Sequence, residues 1–209
     1  MAKKKLIIFD FDGTLVDSFQ LAIAAFNSIS KRYGLKKVPL DELDRLRNLS
    51  SRELIAKWNV PFWKMPFVIR AARKEFGTQI DKVELFPKME TTLLELKKRG
   101  YALCLLTANS QVNVDYFLQK HNLNMFDWVY GGCGLFEKSK VMRKILQKFN
   151  CEASEALNVG DETRDIEAAK KCQIPSVAVS YGFNAKQILQ KFQPDFLIDR
   201  PEDLLTINF

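Results

Sequence analysis

Short apolar runs rich in branched and aromatic residues alternate with segments of helical period along most of this chain. Such runs predict buried strands, and segments with apolar residues three or four positions apart predict amphipathic helices. Strand alternating with helix is typical of a parallel sheet covered by helices on both faces. We therefore expect an α/β protein with a Rossmann-like, doubly wound parallel sheet. The runs predicted as strands are residues 5–11, 102–106, 128–130, 156–159, 176–179 and 196–198.

One region interrupts this alternation, because the chain between Val16 and about Glu84 carries helical patterns and no strand pattern. An apolar stripe of helical spacing follows the first strand directly. Further along, Ser50 and Glu53 have the spacing of a capping box, which predicts a helix start. A third helix is predicted over residues 65–76.

An insert of this length is unusual, since connections in α/β units are normally only a few residues long. We therefore predict an all-helical cap at residues 16–84, inserted into a core of residues 1–15 and 85–209. A cap at this point lies over the carboxyl ends of the strands, where open α/β sheets bind ligands. Four aromatic residues are expected to form the cap's own core: Phe62, Trp63, Phe67 and Phe76.

The composition is that of a globular protein. The chain has 209 residues, of which 47% are hydrophobic and 27% are charged. No apolar run approaches the roughly 20 residues that a membrane-spanning helix needs. The first apolar segment is short and is broken by Asp10, so it does not fit an export signal. The four cysteines form no CxxC pair and are expected to be reduced. These features predict a cytoplasmic protein without a membrane partner.

The net charge of +7, from 32 basic and 25 acidic residues, leaves a nucleic-acid partner open as an alternative. The basic residues are scattered rather than gathered into one tract, and no RNA-binding motif or basic helix is present. We therefore expect no nucleic-acid partner. The positive net charge more simply indicates attraction of small anionic substrates.

Two aspartates follow the first predicted strand. Asp10 and Asp12 are separated by one residue, so alternation places their side chains on the same side of the backbone. Gly13 then permits a sharp turn. Two carboxylates held together repel each other, which favours a bound cation or a raised pKa. A solvated turn is the alternative for this motif taken alone.

Polar residues also follow two further predicted strands. Thr107, Ala108 and Asn109 come after the second, and the sequence GDETRD at residues 160–165 comes after the fourth. Lys138 and Lys140 begin the helix that precedes the fourth strand. Because the carboxyl ends of parallel strands meet at one edge of a sheet, we expect these groups to converge.

These motifs, in this order, resemble those of the haloacid dehalogenase superfamily of phosphohydrolases. Residues 10–18, DFDGTLVDS, are similar to its first motif, and Thr107, Lys138 and residues 160–165 are similar to the other three. The helical insert after the first motif resembles the small cap of phosphoglycolate-phosphatase-like members. The resemblance covers the whole chain.

The resemblance implies a covalent mechanism. Asp10 is expected to be the nucleophile that forms an aspartyl-phosphate, and Asp12 the general acid and base. Mg²⁺ is the implied cofactor, held by the carboxylates of Asp10 and Asp161 and by the backbone carbonyl of Asp12. The implied activity is hydrolysis of a small phosphorylated metabolite.

The remaining implied roles concern the phosphoryl group. Thr107 and Lys138 are expected to hold its oxygens, together with Ala108 and Asn109. Asp165 is expected to position Lys138 or a metal-bound water. Lys140 stays an alternative to Lys138.

Several alternatives stay open at this stage. Dehalogenases of the superfamily lack the second aspartate, so Asp12 argues against that reaction. A phosphomutase uses the same aspartates, and a receiver-like phosphorylation switch also combines acids with a threonine and a lysine. Four cap residues are candidates for reading the substrate, although each also fits an ordinary surface or packing role: Arg47, Arg52, Lys57 and Trp58.

Overall fold

A six-stranded parallel sheet forms the centre of the protein in a computed structural model, which describes residues 5–58 and 60–208. The strands of the protein are β1 Leu6–Phe9, β2 Val16–Asp17, β3 Glu84–Leu85, β4 Ala102–Leu106, β5 Trp128–Tyr130, β6 Ala156–Gly160, β7 Ser176–Val179 and β8 Phe196–Ile198. The spatial order of the six-stranded sheet is β5-β4-β1-β6-β7-β8, so the chain builds outward from β1 on one side and then on the other. This is the doubly wound arrangement that the sequence predicts.

Helices cover both faces of this sheet. The helices are α1 Phe19–Ser30, α2 Leu43–Arg47, α3 Ser51–Trp58, α4 Met65–Gly77, α5 Met89–Lys98, α6 Gln111–Lys120, α7 Lys138–Phe149, α8 Thr163–Cys172 and α9 Lys186–Lys191. On β1, Ile7 and Phe9 point to one face of the sheet and pack with α5 and α6, whereas Leu6 and Ile8 point to the other face and pack with α7 and α8. All four side chains are buried, which explains why β1 is continuously apolar rather than alternating.

The all-helical cap consists of α1 to α4, and α1 packs against α4. The predicted capping box is present: Ser50 N donates to Glu53 Oε2 at 2.8 Å, and Glu53 N donates to Ser50 Oγ at 3.3 Å. At the base of the cap, β2 and β3 pair antiparallel. The expectation of no strand between Val16 and Glu84 is therefore wrong at its two ends, since two-residue strands are too short to leave a pattern. The cap boundaries themselves stay a prediction.

The predicted aromatic core of the cap is wrong for two of its members. Phe76 is buried, but Trp63 and Phe67 are 68% and 62% exposed. The buried face of α4 instead carries Val68 and Phe76, whose spacing of eight residues is two helical turns. The side chain of Phe62 lies outside the described residues.

The four cysteines are buried thiols, in agreement with the reduced state that the sequence predicts. Within residues 5–58 and 60–208, no helix is both long enough and apolar enough to cross a membrane.

Candidate active site

The predicted site residues meet at the carboxyl edge of the sheet. Asp10 follows β1, Thr107 follows β4 and Asp161 follows β6, while Lys138 is the first residue of α7 and Asp165 lies in the first turn of α8. The strands β4, β1 and β6 are neighbours, so their ends are brought side by side. The convergence expected from the sequence is therefore observed.

Lys138 links two of the aspartates. Its ammonium lies 2.6 Å from Oδ2 of Asp10 and 2.5 Å from Oδ1 of Asp165. Burial opposes the charged form of Lys138, but the two carboxylates outweigh it and raise the pKa of the ammonium. Lys140, the alternative, is exposed. Asp165 was expected to position either Lys138 or a metal-bound water, and the observed contact is the one with Lys138.

An acidic cluster lies beside this lysine. Among the described residues, Asp10, Asp161 and Asp165 each offer a carboxylate oxygen, and these oxygens lie within 4.8 Å of one another. Burial raises the pKa of Asp10 and of Asp161, and neighbouring acidic charges raise both further. Buried, hard oxygen ligands that repel one another fit a divalent cation such as Mg²⁺.

Asp161 is held from two sides. Its Oδ1 accepts a hydrogen bond from Thr14 Oγ1 at 2.8 Å, and its Oδ2 accepts one from Phe183 N at 2.7 Å. Gly13 has a φ of +72° and passes so close to Asp161 that a Cβ there would overlap the carboxylate. The turn after Asp12 thus requires glycine both for its conformation and for its proximity to Asp161.

The carboxylate of Asp12 is held apart from this cluster. Ser18 Oγ donates to its Oδ1 at 2.8 Å, and Asn109 Nδ2 donates to its Oδ2 at 3.0 Å. Burial, and then the charge of Asp10, raise the pKa of Asp12 to about 7. A carboxyl group with such a pKa is able both to donate and to accept a proton near neutral pH.

The segment after β4 is ordered by its own side chains. Thr107 is buried, and its Oγ1 accepts a hydrogen bond from Asn109 N at 3.0 Å. Asn109 also accepts from Asn113 Nδ2 at 2.9 Å, which ties the segment to α6. Ala108 and Asn109 line a cavity together with Asp12.

This cavity has a volume of about 190 Å³ and lies between cap and core. A larger one of about 350 Å³, lined mostly by apolar cap side chains, shares part of its wall, including Arg164 and Phe183. The smaller cavity is the one that contains a predicted catalytic side chain, Asp12.

Two arginines of the smaller cavity were not singled out in the sequence. Arg73 comes from α4 of the cap, and Arg164 comes from α8 of the core. Arg164 lies within GDETRD, in which only Asp161 and Asp165 were assigned a role, and Arg73 follows two alanines on α4 and precedes Lys74. The position of Arg164 inside a recognised motif was the signal available, whereas Arg73 has no comparable local signal.

The four cap candidates make other contacts. Arg47 Nη2 donates to Gly182 O at 2.8 Å, Arg52 is paired with Glu167, Lys57 is paired with Glu42, and Trp58 Nε1 donates to Lys36 O. None of the four belongs to the wall of the smaller cavity. The hydrogen bond of Arg47 with Gly182 instead joins the cap to the loop after β7.

A second contact between cap and core involves Glu162. Its Oε2 accepts a hydrogen bond from Ser51 Oγ at 2.9 Å, at the start of α3, while its other oxygen is paired with Arg164. Glu162 is therefore engaged by a cap residue and an arginine, and it lies outside the acidic cluster formed by the three aspartates.

Comparison with known proteins agrees with this geometry. The family model for haloacid dehalogenase-like hydrolases matches residues 7–179. A phosphoglycolate phosphatase of Synechococcus elongatus is 35% identical over 95% of this chain and 94% of its own. The pyrophosphatase PpaX of Bacillus cereus is 27% identical over 96% of this chain and 94% of its own. A haloacid dehalogenase-like hydrolase of Streptococcus pneumoniae superposes with a TM-score of 0.80 at 24% identity, over 99% of both chains.

The chain belongs to the haloacid dehalogenase-like hydrolase family. The predicted enzyme class, a phosphatase of this superfamily, is confirmed. The receiver-like switch is set aside, because family membership extends across cap and core.

Proposed function

We propose that this phosphatase hydrolyses a small phosphate monoester through an aspartyl-phosphate at Asp10, with Mg²⁺ as its cofactor. The observation that carries the proposal is the buried contact of Asp10 with Lys138, beside the carboxylates of Asp161 and Asp165. The adjacent ammonium favours the ionised form of Asp10, which is the form that attacks phosphorus. The name of the Synechococcus elongatus relative supports a small phosphorylated acid as substrate.

In the first step, a carboxylate oxygen of Asp10 forms a bond to phosphorus, and the bond between phosphorus and the ester oxygen breaks. Asp12 gives its proton to that leaving oxygen, so an alcohol departs. A pKa of about 7 supports this role, because a large fraction of Asp12 is protonated at neutral pH. Ser18 and Asn109 keep the Asp12 carboxyl oriented through their hydrogen bonds.

In the second step, Asp12 takes a proton from water, and the water oxygen attacks phosphorus. The bond between phosphorus and Asp10 then breaks, which releases inorganic phosphate and restores both carboxyl groups. Lys138 and Thr107 stabilise the negative charge on the phosphoryl oxygens during both transfers. Asp165 keeps Lys138 in place by the contact described above.

Asp10 and Asp161, with the backbone carbonyl of Asp12, are the groups expected to hold Mg²⁺, and Asp165 lies close to them. The bound ion supplies positive charge that offsets the charge developing on the phosphoryl group. Asp161 is prepared for this role by Thr14 and Phe183 N, which fix its carboxylate.

The experiment is phosphate release from a panel of phosphorylated compounds, measured with Mg²⁺ and with EDTA. The panel contains 2-phosphoglycolate, inorganic pyrophosphate and a sugar phosphate. We expect metal-dependent release from a small monoester, and Asp10→Asn abolishes it. Asp17→Asn is the matched control, because Asp17 lies in the same motif but is exposed. Full activity of Asp10→Asn would overturn the mechanism.

A phosphomutase would begin with the same attack by Asp10, and it differs in the acceptor of the phosphoryl group. Release of inorganic phosphate in proportion to substrate consumed supports the hydrolase. Conversion of a sugar phosphate to its isomer without release would support the mutase instead.

A further inference from the structure

Arg47, the last residue of α2 in the cap, is joined to the loop at residues 180–185, which connects β7 to α9. Its side chain donates from Nη2 to Gly182 O at 2.8 Å and from Nε to Phe183 O at 3.3 Å. Its main-chain carbonyl accepts hydrogen bonds from Ala185 N at 2.8 Å and from Asn184 Nδ2 at 3.2 Å. Both the side chain and the main chain of this one cap residue therefore hold the loop.

The opposite side of loop 180–185 contacts Asp161, the aspartate that is expected to bind Mg²⁺. Phe183 N donates to Asp161 Oδ2 at 2.7 Å. Gly182 lies so close that a Cβ there would be 2.3 Å from Asp161 Cβ and 2.3 Å from Gly13 O. The loop is thus packed directly against the carboxylate, and a shift of the loop moves the Phe183 donor.

A single peptide unit connects these two contacts. The carbonyl of Gly182 and the N–H of Phe183 belong to the same planar trans peptide, in which they point in opposite directions. The carbonyl accepts from the guanidinium of Arg47, and the N–H donates to the carboxylate of Asp161. Because the unit is rigid, its orientation at one end fixes its orientation at the other. A cation at the carbonyl also polarises the unit and strengthens the donor at its far end.

The carboxylate of Asp161 depends on this donor for its orientation. Thr14 Oγ1 holds Oδ1 from within the core, whereas Phe183 N holds Oδ2 from a loop that the cap contacts. Groups that orient a metal ligand typically change metal affinity by about 10- to 100-fold when they are replaced. A residue that holds such a group in place therefore influences the metal without touching it.

We propose that Arg47 is a positioning residue for Asp161, which acts through the peptide unit of Gly182 and Phe183, so that contact of the cap with the core raises the affinity of the site for a divalent cation. The proposal rests on the proposed function, in which Asp161 holds Mg²⁺. Because Arg47 belongs to the cap, its bond to Gly182 exists only while α2 lies on the core. By linkage, a bound cation favours that position of the cap to the same extent.

A second arginine of the cap provides a matched control. Arg52 also contacts the core, where its Nε lies 3.6 Å from Oε1 of Glu167 on α8. This pair involves no residue of loop 180–185. Arg52→Met therefore removes the same type of side chain and another contact between cap and core, while the peptide unit beside Asp161 keeps its partners.

The test measures cation binding directly, with Mn²⁺ as the probe and EPR to count the free ion. We expect the wild type to bind Mn²⁺, Mg²⁺ to displace it, and Asp161→Asn to lose this binding. Arg47→Met should weaken Mn²⁺ binding by roughly 3- to 30-fold. Arg47→Lys should lose less, because its ammonium still reaches one carbonyl. Arg52→Met should bind Mn²⁺ as the wild type does.

Hydrogen exchange of single amides, followed by NMR without metal, distinguishes positioning from a general loss of stability. In Arg47→Met the amide of Phe183 should exchange roughly 10-fold faster, because its peptide unit is no longer held at the carbonyl. Ser180 N, which donates to Ile198 O at 3.0 Å where the loop begins, should keep its rate. A variant that is merely less stable would exchange faster at both amides. Arg47→Lys, the milder replacement, carries both comparisons if Arg47→Met does not fold.

The outcomes separate this proposal from the proposed function. Unchanged Mn²⁺ affinity in Arg47→Met, or equal losses in Arg47→Met and Arg52→Met, overturns the role of Arg47 and leaves the proposed function intact. Faster exchange at Phe183 and Ser180 alike also overturns it. If the wild type binds no Mn²⁺, or if Asp161→Asn binds it as tightly as the wild type does, the magnesium site of the proposed function is wrong, and the role of Arg47 is wrong with it.

Discussion

Lys138 Nζ lies 2.6 Å from Asp10 Oδ2, and the two side chains are only 3% and 4% exposed. Burial raises the pKa of Asp10, and the ammonium of Lys138 acts in the opposite direction. Lys138 therefore favours the ionised carboxylate that attack on phosphorus requires. The same ammonium is placed to meet the phosphoryl oxygens, so one side chain serves both the nucleophile and the group it attacks.

Replacing Lys138 by methionine leaves Asp10 and Asp165 without their shared counter-charge in a buried site. Loss of one partner of a buried ion pair costs about 3–5 kcal/mol, and we expect the free energy of unfolding in urea to fall by that amount. Phosphatase activity should fall by at least about 100-fold. Lys140→Met is the control, since Lys140 is exposed and two residues away. A Lys138→Met protein as stable and active as this control would contradict the assignment.

The raised pKa of Asp12 has a consequence for stability. Because its pKa is about 7 in the folded protein and 3.8 ordinarily, the folded state holds this proton more tightly than the unfolded chain does. Asp12 therefore contributes most to the free energy of unfolding below about pH 4, and that contribution is lost as the pH rises towards about 7. In EDTA, the free energy of unfolding of Asp12→Asn should rise relative to that of the wild type between about pH 4 and about pH 7, as measured by urea unfolding.

Asp17→Asn serves as the reference for that experiment, because it makes the same replacement at an exposed position of the same motif. Suppose that the difference in free energy of unfolding between Asp12→Asn and the wild type stays constant with pH, or changes in the opposite direction. Either result would show that the folded state does not raise the pKa of Asp12.

Two glycines have nearly equal φ angles but different surroundings. Comparing their replacements therefore distinguishes the effect of backbone strain from that of steric overlap. Gly13 has a φ of +72° and Gly34 a φ of +70°, but only Gly13 has neighbours within 4 Å of an added Cβ. Gly34→Ala should cost about 1 kcal/mol of stability and leave activity intact. Gly13→Ala should cost more and lose most Mg²⁺-dependent activity, because the methyl group displaces Asp161 or the Phe183 ring, whose Cδ1 would be 2.6 Å away. Equal behaviour of the two variants in urea unfolding and phosphate release would contradict this account of Gly13.

The strands and the edge residues were predictable because their signals are local. Residues 102–106, 128–130, 176–179 and 196–198 form strands with the bounds predicted, since buried parallel strands are apolar runs with clear ends. Asp10 and Asp161 were predictable because each follows such a run. The first strand is shorter than predicted and ends at Phe9, where the chain begins to turn towards Gly13.

The features that were missed depend on contacts across the fold. Strands β2 and β3 have two residues each and exist through pairing with each other, 67 positions apart at Asp17 and Glu84. Arg73 and Arg164 are 91 positions apart in the sequence, and only the fold brings both of them to the wall of one cavity. Trp63 and Phe67 were expected in the core of the cap on their hydrophobicity alone. Trp63 precedes α4, and Phe67 lies outside the buried face of α4, which carries Val68 and Phe76. The expectation of no nucleic-acid partner stays a prediction.

The central claim, nucleophilic attack by Asp10, is tested most directly by trapping the intermediate. The enzyme is mixed with Mg²⁺ and a hydrolysed ester, quenched in acid and treated with borohydride, which reduces an aspartyl-phosphate to homoserine. Peptide mass spectrometry should find homoserine at position 10, and the signal should be absent from Asp10→Asn. Homoserine at another aspartate, or none during steady turnover, would contradict the account.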